Sequence, residues 1–233
     1  MNHTQLIAAL DTMADPTVAP YQNKIVSDTG YPMRCVRVPE LRKLAKQAAK
    51  GDWRQLLADA RWETYEEVLV IGLAIAYAKG TFQEKTDALT RLLPHLDSWA
   101  LTDSIVPTLK LKPDEREQGW DFAMDCLKSD REYTIRFGII MLLVYYLTPQ
   151  DIKRTAKILT AIRDDRYYVR MAAAWCLAEL GTHDYSLAEE ILKAGVLDTF
   201  THNMTIRKLR ESYRITPEQK AAAAALRRKE NRT

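Results

Sequence analysis

The chain reads as all-α, an α-solenoid of stacked helix pairs, on three observations. First, the segment from Asp164 to Leu177 echoes an earlier one from Asp130 to Leu143, with Arg136 and Arg170 standing 34 positions apart and Tyr133/Tyr167 and Ile135/Val169 in step. A period near that length marks helix pairs that cannot bury their apolar faces alone and lean on the next pair. Second, helix-start and helix-stop signals are dense, while strand-like alternation is nearly absent. Third, 233 residues with 47% hydrophobic and 28% charged composition suffice to bury a sizeable core.

Taken in order, residues 1–50 carry the poorest repeat signal and are expected to form capping helices, residues 51–215 the repeats, and residues 216–233 a basic C-terminal helix, all in a single domain 1–233. Val38-Pro39 and Lys112-Pro113 read as helix starts, where a missing N–H costs nothing. Thr81-Phe82-Gln83-Glu84 and Ser129-Asp130-Arg131-Glu132 have capping-box spacing, in which hydroxyl and carboxylate satisfy the first free amides reciprocally. Thr148-Pro149-Gln150-Asp151 and Thr216-Pro217-Glu218-Gln219 add proline at the first helical position. Breaks are expected near Gly51, Gly80, Asp97, Gly181 and Gly195. About a dozen helices joined by short turns would then stack as antiparallel neighbours. The Asp, Val-Arg and Ala-x-x-x-Leu order of the repeated segment resembles HEAT repeats. That resemblance implies a right-handed superhelix with a concave basic groove, and Asp–Arg bonds between neighbouring repeats.

Several function classes are disfavoured. No stretch approaches the roughly 20 apolar residues that cross a bilayer, the longest candidate being Phe137 to Leu147. Met1-Asn2-His3-Thr4-Gln5 lacks the basic and apolar regions of a secretory signal. Cys35, Cys126 and Cys176 are scattered and odd in number, which suits buried free thiols in a reducing, cytoplasmic setting. His3, His95, His183 and His202 are dispersed without metal-ligand spacing, and there is neither a glycine-rich phosphate loop nor a Gly-x-Ser-x-Gly elbow. No metal and no cofactor are expected, and redox, phosphoryl-transfer and serine-hydrolase chemistry are disfavoured. Net charge is only +3, but the positive residues cluster. One group runs Arg34, Arg37, Arg42, Lys43, Lys46, Lys50; the other includes Arg207, Lys208, Arg210, Arg214, Lys220, Arg227 to Lys229 and Arg232. Such stripes suit a phosphate backbone, although on charge alone a solvated helix face serves equally well.

One constellation stands apart. Trp99 and Asp103 lie four residues apart, hence on one helix face. Trp99, Arg136 and Trp175 follow at intervals of 37 and 39 residues, near one repeat each, and could converge on one groove. Two indoles, a carboxylate and a guanidinium would suit a cationic, flat or sugar-bearing ligand. Each has a plainer alternative: Asp103 as a surface acid paired with Lys110 or Arg136, the tryptophans as packing residues, and Arg136 as a repeat-position structural arginine. Trp53, Trp62 and Trp120 are assigned to packing.

At these residues the chain resembles the AlkD-like DNA alkylation-repair glycosylases, built from HEAT-like repeats. The resemblance runs through Tyr21 with Lys24, Val36 to Lys46, Trp99-x-x-x-Asp103-Ser104, Ile135-Arg136-Phe137-Gly138, Ala174-Trp175 and Ile206 to Ser212. It implies hydrolysis of the N-glycosidic bond of N3- or N7-alkylated purines in double-stranded DNA, by a monomer without cofactor. It makes Asp103 the electrostatic and water-orienting carboxylate, Trp99 and Trp175 the face contacts to deoxyribose and backbone, and Arg136 a phosphate clamp. Tyr21, Lys24, Arg37, Arg42, Lys43, Arg170, Arg207, Lys208 and Arg210 become DNA-binding residues by the same resemblance. It further implies a shallow groove that tolerates bulky adducts. Two other functions stay open: a non-catalytic binder of DNA structures, and a protein-interaction scaffold.

Overall fold

A computed structural model describes residues 1–229, and among them the regular structure is helical, with fourteen α-helices, short 3-10 turns and no strand. The chain divides into two compact units, one from Met1 to Cys126 and one beginning at Leu127.

The first unit contains α1 (His3–Met13), α2 (Ala19–Ile25), α3 (Val38–Lys50), α4 (Trp53–Ala58), α5 (Tyr65–Tyr77), α6 (Phe82–Leu92) and α7 (Trp99–Ile105), and α8 (Arg116–Leu127) ends at its boundary. Helices α3 and α7 both pack on α5, and α1, α4 and α6 pack on it as well. A helix covered on every side must be apolar all round, and each residue from Val68 to Ala76 is buried. Gly72 sets the α5–α7 approach, since a Cβ there would meet Ile105 Cδ1 at 2.4 Å.

Two buried acids at the start of α5 anchor the irregular segments around it. Glu66 accepts the amides of Arg34 at 3.0 Å, Cys35 at 2.7 Å and Val36 at 3.3 Å. Glu67 accepts the amides of Arg61 at 2.9 Å, Trp62 at 3.2 Å and Glu63 at 2.8 Å, and its Oε1 lies 2.7 Å from His3 Nε2. Each anchored segment holds one residue in the left-handed region, Cys35 at φ 63° and Trp62 at φ 58°. Non-glycine residues adopt that region only where the surroundings impose it, and a carboxylate taking three amides does so through charge-assisted hydrogen bonds. Burial raises the Glu67 pKa, but the amides of Glu63, Arg61 and Trp62 and the His3 ring outweigh it, and the net direction is downward.

The second unit is more regular. It contains α9 (Glu132–Tyr145), α10 (Ile152–Ala161), α11 (Tyr167–His183), α12 (Tyr185–Ala194), α13 (Thr199–Glu211) and α14 (Pro217–Ala225). Helix α11 is flanked by α9 and α13 in one layer, with α10 and α12 behind it and α14 behind α13. The two step-matched arginines reach the start of the next helix in that layer. Arg136 Nη1 donates to the Tyr168 carbonyl at 2.9 Å, and Arg170 Nη1 lies 3.9 Å from Asp198, the N-cap of α13. Glu132 adds a third bond in the same direction by accepting the Tyr168 amide at 2.7 Å.

Several sequence expectations change at this level. The capping boxes at Thr81 and Thr216 form. At Ser129 none does: α9 begins at Glu132, whose carboxylate caps the neighbouring α11 instead of reaching back. At Thr148 the proline sits in a turn, and α10 starts only at Ile152. The break expected near Gly181 is found two residues on, where α11 ends at His183, and Gly181 itself allows close packing, since a Cβ there would meet Leu209 Cδ2 at 2.7 Å. At Gly195 the expected break is found, with φ 72°. The C-terminal helix expected over 216–233 is α14, which ends at Ala225; Arg232 lies outside the described residues. Cys35, Cys126 and Cys176 are buried free thiols, and the Trp62 ring stacks on His95 with centroids 4.1 Å apart.

Candidate active site

A reciprocal clasp fixes the start of α7. Asp28 accepts the Ser98 hydroxyl at 3.0 Å and the Trp99 amide at 2.9 Å, while Asp97 accepts the Thr29 hydroxyl at 2.9 Å and the Gly30 amide at 2.7 Å. Each segment thus places an acid on the other's free donors, and the segment before Cys35 is pinned against the first turn of α7. Burial pushes the Asp97 carboxyl up from its ordinary range, against the bonds from Gly30 and Thr29.

With its N-terminus held, α7 puts Trp99 and Asp103 on one face, both half-buried. Thr102 Oγ1 lies 2.8 Å from both the Trp99 carbonyl oxygen and Asp103 Oδ1, so the hydroxyl between them has one proton for either acceptor. Both residues open onto a cavity of about 570 Å³. Helix α2 contributes Tyr21 and Ile25 to it, the start of α3 contributes Arg37 and Pro39, and α5 contributes Tyr65. The Arg37 guanidinium is held by Asp15, with Nη2 at 3.0 Å and Nε at 3.2 Å from Oδ2. An apolar enclosure with one carboxylate and one guanidinium can take a flat ligand and act electrostatically on charge that develops beside Asp103.

Four residues singled out in the sequence, Tyr21, Arg37, Trp99 and Asp103, therefore line one cavity. Lys24 is exposed on α2 outside that lining, Lys43 pairs with Glu40 at 2.7 Å, and Arg42 donates to the Tyr77 hydroxyl at 3.1 Å and the Thr108 hydroxyl at 3.3 Å. The remaining candidates belong to the second unit. Trp175 is half-buried on α11. Arg136 is 5% exposed and bonded to the Tyr168 carbonyl, which fits the structural role that its repeat position offered as the alternative to a phosphate clamp. Arg170 lies over the Phe200 ring at 4.5 Å besides facing Asp198. Arg207 pairs with Glu211 at 2.9 Å, Arg210 is exposed, and Lys208 is half-buried. Sequence reasoning missed Tyr65, Asp28 and the clasp role of Asp97. Asp97 was visible as a break, but nothing local ties it or Ser98 to a segment some 70 positions earlier, the separation of Asp28 and Ser98.

Among the described residues no group of three or more His, Cys, Asp or Glu could hold a metal ion, and no helix is long and apolar enough to cross a membrane. Searches of curated proteins and of solved structures return no match to the chain. A family model described as DNA alkylation repair enzyme matches residues 6–215, a span that contains every motif of the resemblance from Tyr21 to Ser212. The chain belongs to the DNA alkylation repair enzyme family.

Proposed function

We propose that the protein is a DNA glycosylase that hydrolyses the N-glycosidic bond of cationic N3- or N7-alkylpurines in duplex DNA. The observation that carries this reading is the shared cavity of Trp99 and Asp103, with Tyr21 and Arg37 in the same lining. Alkylation at N3 or N7 gives the purine a positive charge, so the base is already a good leaving group. Breaking the bond between C1′ and N9 sends its electron pair into the purine, which leaves neutral, and the positive charge passes to C1′ and O4′ of the sugar. A carboxylate beside that charge stabilises it, and a water that Asp103 orients adds to C1′, losing its proton to the carboxylate or to solvent. Trp99 meets the sugar through its face, and Arg37 supplies positive charge for a flanking phosphate. Trp175 is proposed as a further aromatic contact to the duplex, on the resemblance alone. In the second unit, the stacked α9, α11 and α13 support the HEAT-like reading of the repeats.

The test is chemical. Duplex methylated at N7 of guanine is incubated with the protein, free base is separated, and abasic sites are cut with alkali. Free 7-methylguanine and strand cleavage confined to methylated duplex support the glycosylase. Salt-dependent duplex binding without released base would leave a non-catalytic DNA binder. Failure to bind duplex even at low salt would favour the scaffold.

A further inference from the structure

Tyr65 occupies an unusual position in the cavity. It is the first residue of α5, its amide donates to the Pro32 carbonyl at 3.2 Å, and its side chain is 5% exposed. Tyr65 lines the same cavity as Trp99 and Asp103, yet its hydroxyl makes no hydrogen bond to any described residue. The hydroxyl is not among the described buried polar atoms that lack a partner, so it keeps contact with solvent, and a ligand that displaces that water must supply the bond in its place. Around it the other polar groups are committed: Glu66 to three amides, Asp28 to the start of α7, and Asp97 to Thr29 and Gly30.

The charge around the phenol determines what it can do. Burial, then the Glu66, Asp28 and Asp97 carboxylates, push its pKa well above the usual tyrosine range. The hydroxyl therefore keeps its proton at any physiological pH and acts as a donor, never as a base. A neutral donor in a low-dielectric wall suits an electron-rich acceptor on the ligand, such as a sugar or phosphate oxygen of a nucleotide.

We infer that Tyr65 is a ligand-binding residue of this cavity, whose hydroxyl donates a hydrogen bond to an oxygen of the nucleotide bound beside Trp99 and Asp103. This rests on the function proposed above for its identification of the ligand as a nucleotide in duplex DNA. The hydroxyl is left unpaired by the free protein and completed by the substrate. It sets the depth to which a nucleotide enters, because an apolar ligand would leave the donor unsatisfied.

The experiment compares wild type with Tyr65→Phe on two readouts. One is binding of a duplex carrying a tetrahydrofuran abasic-site analogue, followed by fluorescence anisotropy; the other is release of 7-methylguanine from methylated duplex. Loss of one neutral hydrogen bond predicts about tenfold weaker analogue binding, with release slowed to a similar extent. Because the hydroxyl has no partner in the free protein, the melting temperature should stay the same or rise. Unchanged analogue binding in Tyr65→Phe overturns the inference, as does a fall in melting temperature that accounts for the weaker binding. If wild type releases no base, the glycosylase reading fails on its own, and the binding comparison still decides the role of Tyr65.

Discussion

The two units solve the same packing problem with opposite use of irregular chain. In the second, α9, α11 and α13 repeat one pattern, and each step is secured by a side chain reaching the start of the next helix: Arg136 to Tyr168, Glu132 to Tyr168, Arg170 to Asp198. In the first, three acids, Glu66, Glu67 and Asp97, hold non-helical segments, and a fourth, Asp28, reaches from one of those segments to the start of α7. The cavity that holds Trp99 and Asp103 is bounded by one of those segments, through Met33, Val36 and Arg37. Regular repetition gives a stack of helices; departures from it, fixed by carboxylates, give a cavity lined by Trp99 and Asp103.

The largest stability effect is expected at Glu66. Glu66→Ala strands the amides of Arg34, Cys35 and Val36 and should cost about 3 kcal/mol or more in denaturant unfolding, with loss of any activity that depends on the cavity. A cost under about 1 kcal/mol would mean that the segment holds itself and that the contrast between the units is overstated. Arg136→Ala comes next, at about 2 kcal/mol, since it removes a buried, charged donor from the Tyr168 carbonyl. The same substitution should leave the salt dependence of duplex binding unchanged, whereas a phosphate clamp would lower the slope by about one.

Acid should separate the units further. The Glu67 pKa is depressed in the folded state below its ordinary 4.5, so its contribution is complete above the unfolded value and fades as pH falls through the folded one. Melting temperature should therefore decline below about pH 4.5, and Glu67→Gln, though less stable at neutral pH, should show a flatter decline. An equally steep acid limb in that variant would exclude Glu67 as its source. Asp164 is also held low, chiefly by Arg166, but it sits near solvent and its contribution should be the smaller. Glu132→Ala, which removes a single amide acceptor from the repeat layer, is expected to cost about 1 kcal/mol. Smallest of all, Lys43→Ala breaks an exposed pair with Glu40 and should change stability by less than about 0.5 kcal/mol.

What the sequence made legible follows the same division. Helical class, the Arg136/Arg170 step and the capping boxes at Thr81 and Thr216 depend on residues within a few positions or one repeat of each other, and pattern reading reaches that far. The box at Ser129 was misread because Glu132 has two places to go, and packing rather than spacing decides for the neighbouring helix. Gly181 marks the end of α11 to within two residues, but its second role, admitting Leu209, depends on a helix far along the chain. Trp99 and Asp103 were visible as an i, i+4 pair, and their exposure to a common cavity agrees with that geometry. Tyr65 and the clasp between Asp28 and the start of α7 were invisible, since no local pattern ties a loop acid to a helix more than sixty residues later.

The account turns on whether the carboxylate of Asp103 acts on the glycosidic bond or merely lines a binding surface. Excision of 7-methylguanine and affinity for methylated duplex, measured side by side for wild type and Asp103→Asn, separate the two. Electrostatic stabilisation predicts that excision falls by about a hundredfold or more while duplex affinity stays within about twofold of wild type. Excision at the wild-type rate by Asp103→Asn would contradict it.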